Sequence, residues 1–150
     1  MARKSTACLD TTIPNALFQE PEDRRRATQR FFAEAVSGYE VLISEVTIAE
    51  LRATPESELR ERLLASVEHF GVLAVTPLAE RLAREYLRYV RMPQADALHI
   101  AVASTEGVNY LVTWNMRHLA REKTRRIVEN VNFLFRLPSL FIATPNDLID

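Results

Sequence analysis

The sequence contains little cysteine and glycine, and it has no long apolar run. Its single cysteine, Cys8, excludes a disulfide within the chain, which is typical of a reducing compartment. Because Ala7 and Leu9 flank Cys8, we interpret the thiol as a packed side chain of a strand rather than as a reactive group. No segment approaches the roughly 18 apolar residues of a membrane span, and the first apolar stretch stops at Asp10, too early for a signal peptide. We therefore expect a cytosolic protein.

A strong net charge is also missing. The 150 residues include 19 basic and 20 acidic side chains, so the formal net charge is −1. No global field attracts nucleic acid, and any such binding needs a local patch. The length fits one domain with a sizeable core, and we expect residues 1–150 to form it.

Short apolar segments alternate with amphipathic ones along the chain. Each of the three glycines precedes an apolar segment, as expected between a helix and a strand. The predicted strands are residues 5–10, 39–44, 72–77, 108–115 and 139–145. The predicted helices are residues 21–36, with Pro21 as the first helical residue, and 45–54, 57–70, 78–90, 95–105 and 120–137. This alternation predicts a three-layer α/β domain with a mainly parallel sheet whose two faces are both covered.

Four polar residues are predicted to lie at one edge of this sheet. Asp10 ends the first strand, Glu50 lies one helical turn beyond the second, Asp96 opens a helix, and Asn115 ends the fourth strand. Sites in such folds lie outside the carboxyl ends of the strands. The four residues come from separate parts of the chain, yet the fold allows them to meet.

Each carboxylate also has a purely structural interpretation. Asp10 precedes two threonines, and a turn or N-cap acid fits this position as well as a functional carboxylate held rigidly at a strand end does. Glu50 has apolar neighbours in sequence and along its helix, so it needs a partner, either in a functional site or in a salt bridge.

Asp96 lies in the first turn of a helix that is apolar almost all round, and such a helix is normally buried. Either Asp96 favours the helix N-terminus or a cation lies beside it, because an unpaired buried charge is costly. His99, one turn further on, is more simply a core histidine that is hydrogen-bonded to a neighbour than a metal ligand. Trp114 is expected to pack in the core.

Taken together, the three carboxylates and the amide of Asn115 form an oxygen-only set of candidate ligands. Such sets suit hard cations, Mg²⁺ or Mn²⁺, which favour phosphate oxygens and activate water for attack on a phosphodiester. A bound ion would also neutralise Glu50 and Asp96.

At this point five motifs resemble the PIN-domain family, in particular its VapC-like toxin ribonucleases. They are CLDTTIP, SEVTIAEL, ADALHIAVA, LVTWNMRHL and FIATPNDLI, in that order along nearly the whole chain. The resemblance implies a five-stranded parallel sheet of order 3-2-1-4-5, hydrolysis of RNA that depends on Mg²⁺ or Mn²⁺, a homodimer, and a cognate antitoxin. It also implies an acidic triad of Asp10, Glu50 and Asp96, with the Thr12 hydroxyl near the metal or its water.

One position departs from the pattern that the resemblance implies. Asn115 stands where the family often has an aspartate, so the site has one negative charge fewer. A second metal ion should therefore be held weakly, which puts a strict two-metal mechanism in doubt but not hydrolysis itself.

A basic stretch follows Asn115 directly. Between residues 117 and 126 five basic side chains oppose only Glu122, a local net charge of +4. This stretch is either an RNA-binding surface or a solvated helix face. The basic residues are Arg117, Arg121, Lys123, Arg125 and Arg126. Three arginines at positions 24–26 are balanced by nearby acids, and we interpret them as surface residues or as antitoxin contacts rather than as RNA contacts.

Other folds with acids at a sheet edge fit less well. A receiver domain needs adjacent acids after its first strand, a haloacid-dehalogenase-type phosphatase needs Asp-x-Asp, and a dinucleotide-binding fold needs a glycine-rich first turn. The sequence has none of these. The serious alternative is a catalytically silent PIN-like module that binds RNA or a protein partner.

Overall fold

The computed structural model describes residues 3–149, which form a five-stranded sheet with helices on both faces. The strands are β1 (Thr6–Leu9), β2 (Glu40–Ser44), β3 (Gly71–Leu73), β4 (Tyr110–Val112) and β5 (Phe141–Ala143). All four neighbouring pairs are parallel, and the strand order is β3-β2-β1-β4-β5. The expected sheet is confirmed.

Within residues 3–149, seven α-helices are interleaved with the strands. They are α1 (Thr12–Ala16), α2 (Glu22–Glu34), α3 (Glu45–Arg52), α4 (Ser57–Val67), α5 (Pro77–Leu87), α6 (Gln94–Thr105) and α7 (Glu122–Leu134). All six predicted helices are present, and the five-residue α1 is additional. Pro21 precedes α2 in an extended conformation instead of being its first helical residue. None of the helices within residues 3–149 is long and apolar enough to cross a membrane.

Alternating side chains of β1 divide the core into two halves. Cys8 packs with α5, α6 and α7 on one face of the sheet, whereas Ala7 and Leu9 pack with α2, α3 and α4 on the other. Such burial on both faces explains why the strands are continuous apolar runs. Burial raises the pKa of the Cys8 thiol to about 12, so this cysteine is a packed, unreactive side chain, as predicted.

Local sequence also determines where the helices begin. The Ser44 side chain accepts a hydrogen bond from Thr47 N and so caps α3 directly after β2. In the same way Thr76 caps α5, which ends the third strand at Leu73 instead of the predicted Pro77. Gly107, with φ of +69°, provides the left-handed turn between α6 and β4. The caps at Ser44 and Thr76 therefore lie towards the carboxyl edge of the sheet, whereas the turn at Gly107 lies at its amino edge.

Candidate active site

Asp10 lies at the end of β1 and is only 2% exposed. Its Oδ1 accepts hydrogen bonds from the backbone N and the hydroxyl of Thr12, at 3.0 and 2.5 Å, and its Oδ2 accepts one from the Thr113 hydroxyl. Burial raises the pKa of this carboxyl, and the nearby His99 and the hydrogen bonds only oppose the rise. No basic side chain of residues 3–149 forms an ion pair with Asp10. A buried carboxylate without a cation is costly, which is the condition that a bound metal ion relieves.

Thr12 joins the ends of the two central strands. Its hydroxyl donates to Asp10 and accepts a 2.9 Å hydrogen bond from Trp114 N, just beyond β4. The structure thus places Thr12 beside the first acid. The turn interpretation of Asp10 is visible too, since its carboxylate accepts from the N–H of the second residue after it.

Glu50 projects from α3 towards the same edge. Its side chain is 41% exposed, although its neighbours in the sequence and along the helix are apolar. The buried residues of this short helix are Thr47 and Leu51, and Glu50 lies at the border of that buried face. Its Oε1 accepts hydrogen bonds from Thr11 Oγ1 at 2.5 Å and from His99 Nε2 at 2.9 Å. The hydrogen bond from His99 lowers the pKa of Glu50.

His99 is the common neighbour of the three acids. It is 3% exposed, and its Nδ1 lies 3.5 Å from Ser44 Oγ. Because an ionised carboxylate only accepts hydrogen bonds, the proton shared with Glu50 belongs to His99 Nε2. Electrostatic interaction with His99 lowers the pKa values of Asp10, Glu50 and Asp96. The hydrogen-bonded core histidine predicted from the sequence is confirmed, and its partner is Glu50.

Asp96 is the third residue of α6 and makes no side-chain capping bond to the helix. It is half-buried, and its Oδ2 accepts a 3.0 Å hydrogen bond from Asn115 Nδ2. Burial raises the pKa of this carboxyl, and Glu50 raises it further, whereas His99 and His118 lower it. Asp96 therefore lacks a cationic contact among the described residues, and a neutral amide is its hydrogen-bonding partner.

The side chain of Asn115 forms two hydrogen bonds. Its Nδ2 donates to Asp96, while its Oδ1 accepts from His118 N at 2.9 Å. The amide oxygen predicted as a metal ligand is therefore occupied by the backbone. Asn115 would have to rotate about its side-chain bonds to present this oxygen to an ion.

The oxygen-rich donor set suits Mg²⁺ or Mn²⁺ by its chemistry, with three carboxylates and no cysteine. Within residues 3–149, however, no three His, Cys, Asp or Glu side chains are close enough to hold a metal ion as they stand. Hydrogen bonds occupy the acids instead: Asp10 with threonines, Glu50 with His99, and Asp96 with Asn115. The exposed Glu50 and the half-buried Asp96 have room to turn towards an ion, whereas Asp10 is fixed.

A cleft of about 640 Å³ opens beside these acids. The residues that line it include Glu50, Thr12, Asn115 and Arg117. Of the predicted RNA-binding residues, only Arg117 lines this cleft. Arg121 is the N-cap of α7, and Lys123 is exposed in its first turn.

Arg125 lies elsewhere, at the opposite edge of the sheet. Its guanidinium donates to the carbonyl of Ile142 at 3.0 Å, and its Nε is buried without a partner. It lines a separate cavity with Asn109 and Leu140, which precede β4 and β5. This position supports a structural role for Arg125, and Arg126 pairs with Glu122 at 3.6 Å on the helix surface.

Three site residues were missed in the sequence. Thr11 and Thr113 hold Glu50 and Asp10, and their only signal was a hydroxyl within two residues of a proposed ligand position. Arg24 lines the cleft although its sequence neighbours are acidic. Trp114 is 8% exposed and packs in the core as predicted, with its Nε1 donating to Thr28 Oγ1 at 2.8 Å.

Residues 7–123, well over half of the chain, match the family model of the PIN domain. The chain belongs to the PIN domain family. Members of this family are nucleases. The match covers all four proposed site positions. None of the curated proteins is significantly similar in sequence.

Solved structures share the fold of this PIN domain. VapBC2 from Rickettsia felis, bound to a promoter DNA fragment, has a TM-score of 0.59 at 16% identity, covering 93% of this chain and 98% of the other. A toxin–antitoxin complex from Klebsiella pneumoniae has a TM-score of 0.59 at 17% identity and covers 79% and 93%. Mycobacterium tuberculosis VapC20, a toxin that cleaves the sarcin–ricin loop, has a TM-score of 0.56 at 21% identity and covers 70% and 86%. At these identities the similarity shows the fold.

Thr113 offers a test of how far the site depends on hydroxyl groups. Its Oγ1 donates to Asp10 and accepts from Asn115 N at 2.9 Å. We expect Thr113→Val, of similar shape, to lower the free energy of unfolding by about 1–3 kcal/mol, because a buried carboxylate and an amide lose their partner. Urea denaturation measures this loss. Thr105→Val, at the end of α6, is the control, and an equal effect of both would show that Thr113 has no special role.

Proposed function

We propose that this PIN domain is an Mg²⁺- or Mn²⁺-dependent endoribonuclease that hydrolyses RNA phosphodiester bonds. One observation carries the proposal: Asp10 and Asp96, both without a cationic contact among the described residues, lie with Glu50 around one buried histidine. They lie at the carboxyl edge of the sheet, where β1 is flanked by β2 and β4. This is where α/β folds place their ligands.

The proposed roles follow from the contacts. Asp10, Glu50 and Asp96 would hold the ion, joined by the amide oxygen of Asn115 after rotation. Such an ion neutralises charge on a phosphodiester and makes water a better nucleophile. Thr12 keeps Asp10 in one orientation through two hydrogen bonds. His99 holds the proton on Nε2 towards Glu50 and so keeps that acid ionised.

We further propose that the chain is the toxin of a toxin–antitoxin pair, acts in the cytoplasm, and forms a homodimer. The fold similarity to VapC toxins supports the cognate antitoxin as a partner. Exposed apolar side chains provide surface for protein contacts, chiefly Phe133, Leu134 and Tyr89, which are 80%, 77% and 50% exposed.

The direct test is RNA cleavage by the purified chain, with Mn²⁺ in one reaction and a chelator in the other. We expect internal cleavage of total RNA with Mn²⁺ and none with the chelator. Mapping the new RNA ends then identifies the target. Cleavage that persists in the chelator would contradict the metal-dependent mechanism.

One observation favours the alternative of a catalytically silent module that binds RNA or a protein. Glu50 and Asp96 are hydrogen-bonded to His99 and Asn115, and among the described residues they do not converge with Asp10 on one point, as a metal site would require. RNA binding without cleavage under any divalent ion would support this second function.

Replacing Asn115 by aspartate is expected to lower the stability of the metal-free protein but to strengthen the binding of Mn²⁺. In Asn115→Asp a carboxylate replaces the amide that donates to Asp96, so two like charges face each other. We expect a lower melting temperature in chelator, because the hydrogen bond is lost and the charges repel. With Mn²⁺ we expect tighter binding and equal or higher cleavage activity at low metal concentration, because the added charge attracts the ion. Calorimetry of Mn²⁺ binding checks this, and weaker binding would place Asn115 away from the metal.

A further inference from the structure

One arginine of the cleft has no acidic partner, although its neighbours do. Arg25 pairs with Glu20 and Glu22, and Arg26 pairs with Glu22 at 2.9 Å. Among the residues that the structure describes, Arg24 forms no ion pair. Its guanidinium lies instead 5.5 Å from the centre of the Trp114 ring. A guanidinium on an aromatic face keeps its N–H groups free for an anion.

Burial and two hydrogen bonds fix the position of Trp114. Its ring is almost buried, and Nε1 donates to Thr28 one turn along α2 from Arg24. The Trp114 backbone N donates to Thr12, which in turn holds Asp10. Arg24 is therefore stacked on a rigid residue that is connected by two hydrogen bonds to the proposed catalytic acid.

The cleft in front of Arg24 is lined by a second arginine, Arg117. Within residues 3–149, Arg117 also forms no ion pair. Glu20, the acid beside them, is paired with Arg25 at 3.5 Å. Two free cations thus line a cleft that is continuous with Glu50. The side chain of Met116, 48% exposed, adds an apolar surface.

We infer that this cleft binds single-stranded RNA next to the bond to be cut, with Arg24 and Arg117 on a neighbouring backbone phosphate. The inference rests on the proposed function. A volume of about 640 Å³ lies within the range of sites that hold one small ligand, which is enough for one or two nucleotides. A planar guanidinium with free N–H groups binds phosphate through two parallel hydrogen bonds. Arg24, expected from sequence to be a surface residue or an antitoxin contact, is assigned to the substrate.

The test measures RNA binding without catalysis. Fluorescence anisotropy of a labelled ten-nucleotide RNA is recorded in chelator at several salt concentrations for wild type, Arg24→Gln, Arg24→Lys and Arg26→Gln. We expect Arg24→Gln to weaken binding by about tenfold. It should also lower the slope of log K against log salt by about 0.7, the value for one lost phosphate contact on a single strand. Arg24→Lys should retain the slope with weaker binding.

Arg26→Gln is the matched control, because it removes the same charge from an exposed position on the same helix. We expect it to bind within about twofold of wild type, since an exposed ion pair contributes little. Thermal melts confirm that each variant is folded. Equal effects of Arg24→Gln and Arg26→Gln would overturn the assignment, and so would a wild type that binds no RNA at low salt.

A single uncharged methylphosphonate linkage, moved along the RNA, locates the contact. When the methylphosphonate lies at one position beside the cleavage point, we expect the affinity of the wild type for this RNA to fall to that of Arg24→Gln for unmodified RNA. The affinity of Arg24→Gln should not fall further on the modified RNA. If no position of the methylphosphonate has this effect, the proposed subsite is overturned. It is also overturned if an acidic peptide competes with the labelled RNA as well as an unlabelled RNA of equal charge does. Wild-type cleavage with Mn²⁺ is scored separately. If the wild type cleaves RNA but its binding does not depend on Arg24, only the proposed subsite is rejected. If binding depends on Arg24 but no cleavage occurs, only the proposed nuclease activity is rejected.

Discussion

Replacing Asp10 by asparagine is expected to reduce Mn²⁺-dependent RNA cleavage by about a hundredfold or more, while the protein remains folded. The amide oxygen can still accept from Thr12, and the Thr113 hydroxyl can accept from the new amide group. What is lost is the buried charge that the ion needs, and charge stabilisation by a metal contributes several kcal/mol to the transition state. Glu50→Gln and Asp96→Asn should behave alike, as each keeps the shape of its side chain.

Asp23→Asn is the matched control, since Asp23 is an exposed acid in the first turn of α2. Its cleavage rate should equal that of the wild type. Initial rates on one RNA at saturating Mn²⁺ give the comparison, and melting curves show that the variants are folded. Full activity in any two of the three acid-to-amide variants would show that the site has been misassigned.

The second large effect concerns stability without substrate. Asp96→Asn is expected to raise the melting temperature of the metal-free protein at neutral pH and to abolish most of the stabilisation by Mn²⁺. The half-buried Asp96 carboxylate is disfavoured by burial and by Glu50, and asparagine removes this cost while still accepting from Asn115. An excess of metal a hundredfold above Kd stabilises the wild type by roughly 2.7 kcal/mol.

The pH dependence has a definite sign. Burial raises the folded-state pKa values of Asp10 and Asp96, so the folded protein binds more protons than the unfolded chain. Stability of the metal-free wild type should therefore increase as pH falls through these raised values towards about 3.9, the ordinary value for aspartate. The hydrogen bond from His99 lowers the pKa of Glu50, and this contribution is lost as pH falls through that lowered value. Asp96→Asn should flatten the rising part of the profile.

Four melting curves decide the matter: wild type and Asp96→Asn, each in chelator and in Mn²⁺. If Asp96 only favours the start of α6, the variant would be neutral or slightly less stable, with an unchanged metal response. Equal metal shifts in the two proteins would thus return Asp96 to the role of a helix-start acid.

The architecture was predictable because both sheet faces are covered, so each strand is an apolar run that stands out from the amphipathic helices. Helix α1 was missed since its five residues, with Pro14 in the middle, are too short for a helical period. The third strand was predicted too long, because residues up to Val75 are apolar although Thr76 already caps α5. Local capping decided this boundary against the apolar pattern.

The candidate site was predictable as a list of acids but not as a set of contacts. Glu50 was expected to need a partner, but the sequence did not identify this partner as His99, which lies 49 residues away in the chain. The hydrogen bond from Thr113 to Asp10 joins residues 103 apart in the chain. Such a contact depends on the pairing of β1 with β4, which no local pattern contains.

The unequal burial of the acids bears on how an inert form of this protein is best made. Asp10 is buried, and three hydrogen bonds reach its two carboxylate oxygens, so a substitution there changes more contacts. Glu50 is 41% exposed, and both groups that contact it donate to the single oxygen Oε1. Glutamine presents an oxygen at that position and accepts the same two hydrogen bonds. Glu50→Gln is therefore the substitution of choice when the surfaces must stay native, for example to crystallise the chain with an intact RNA.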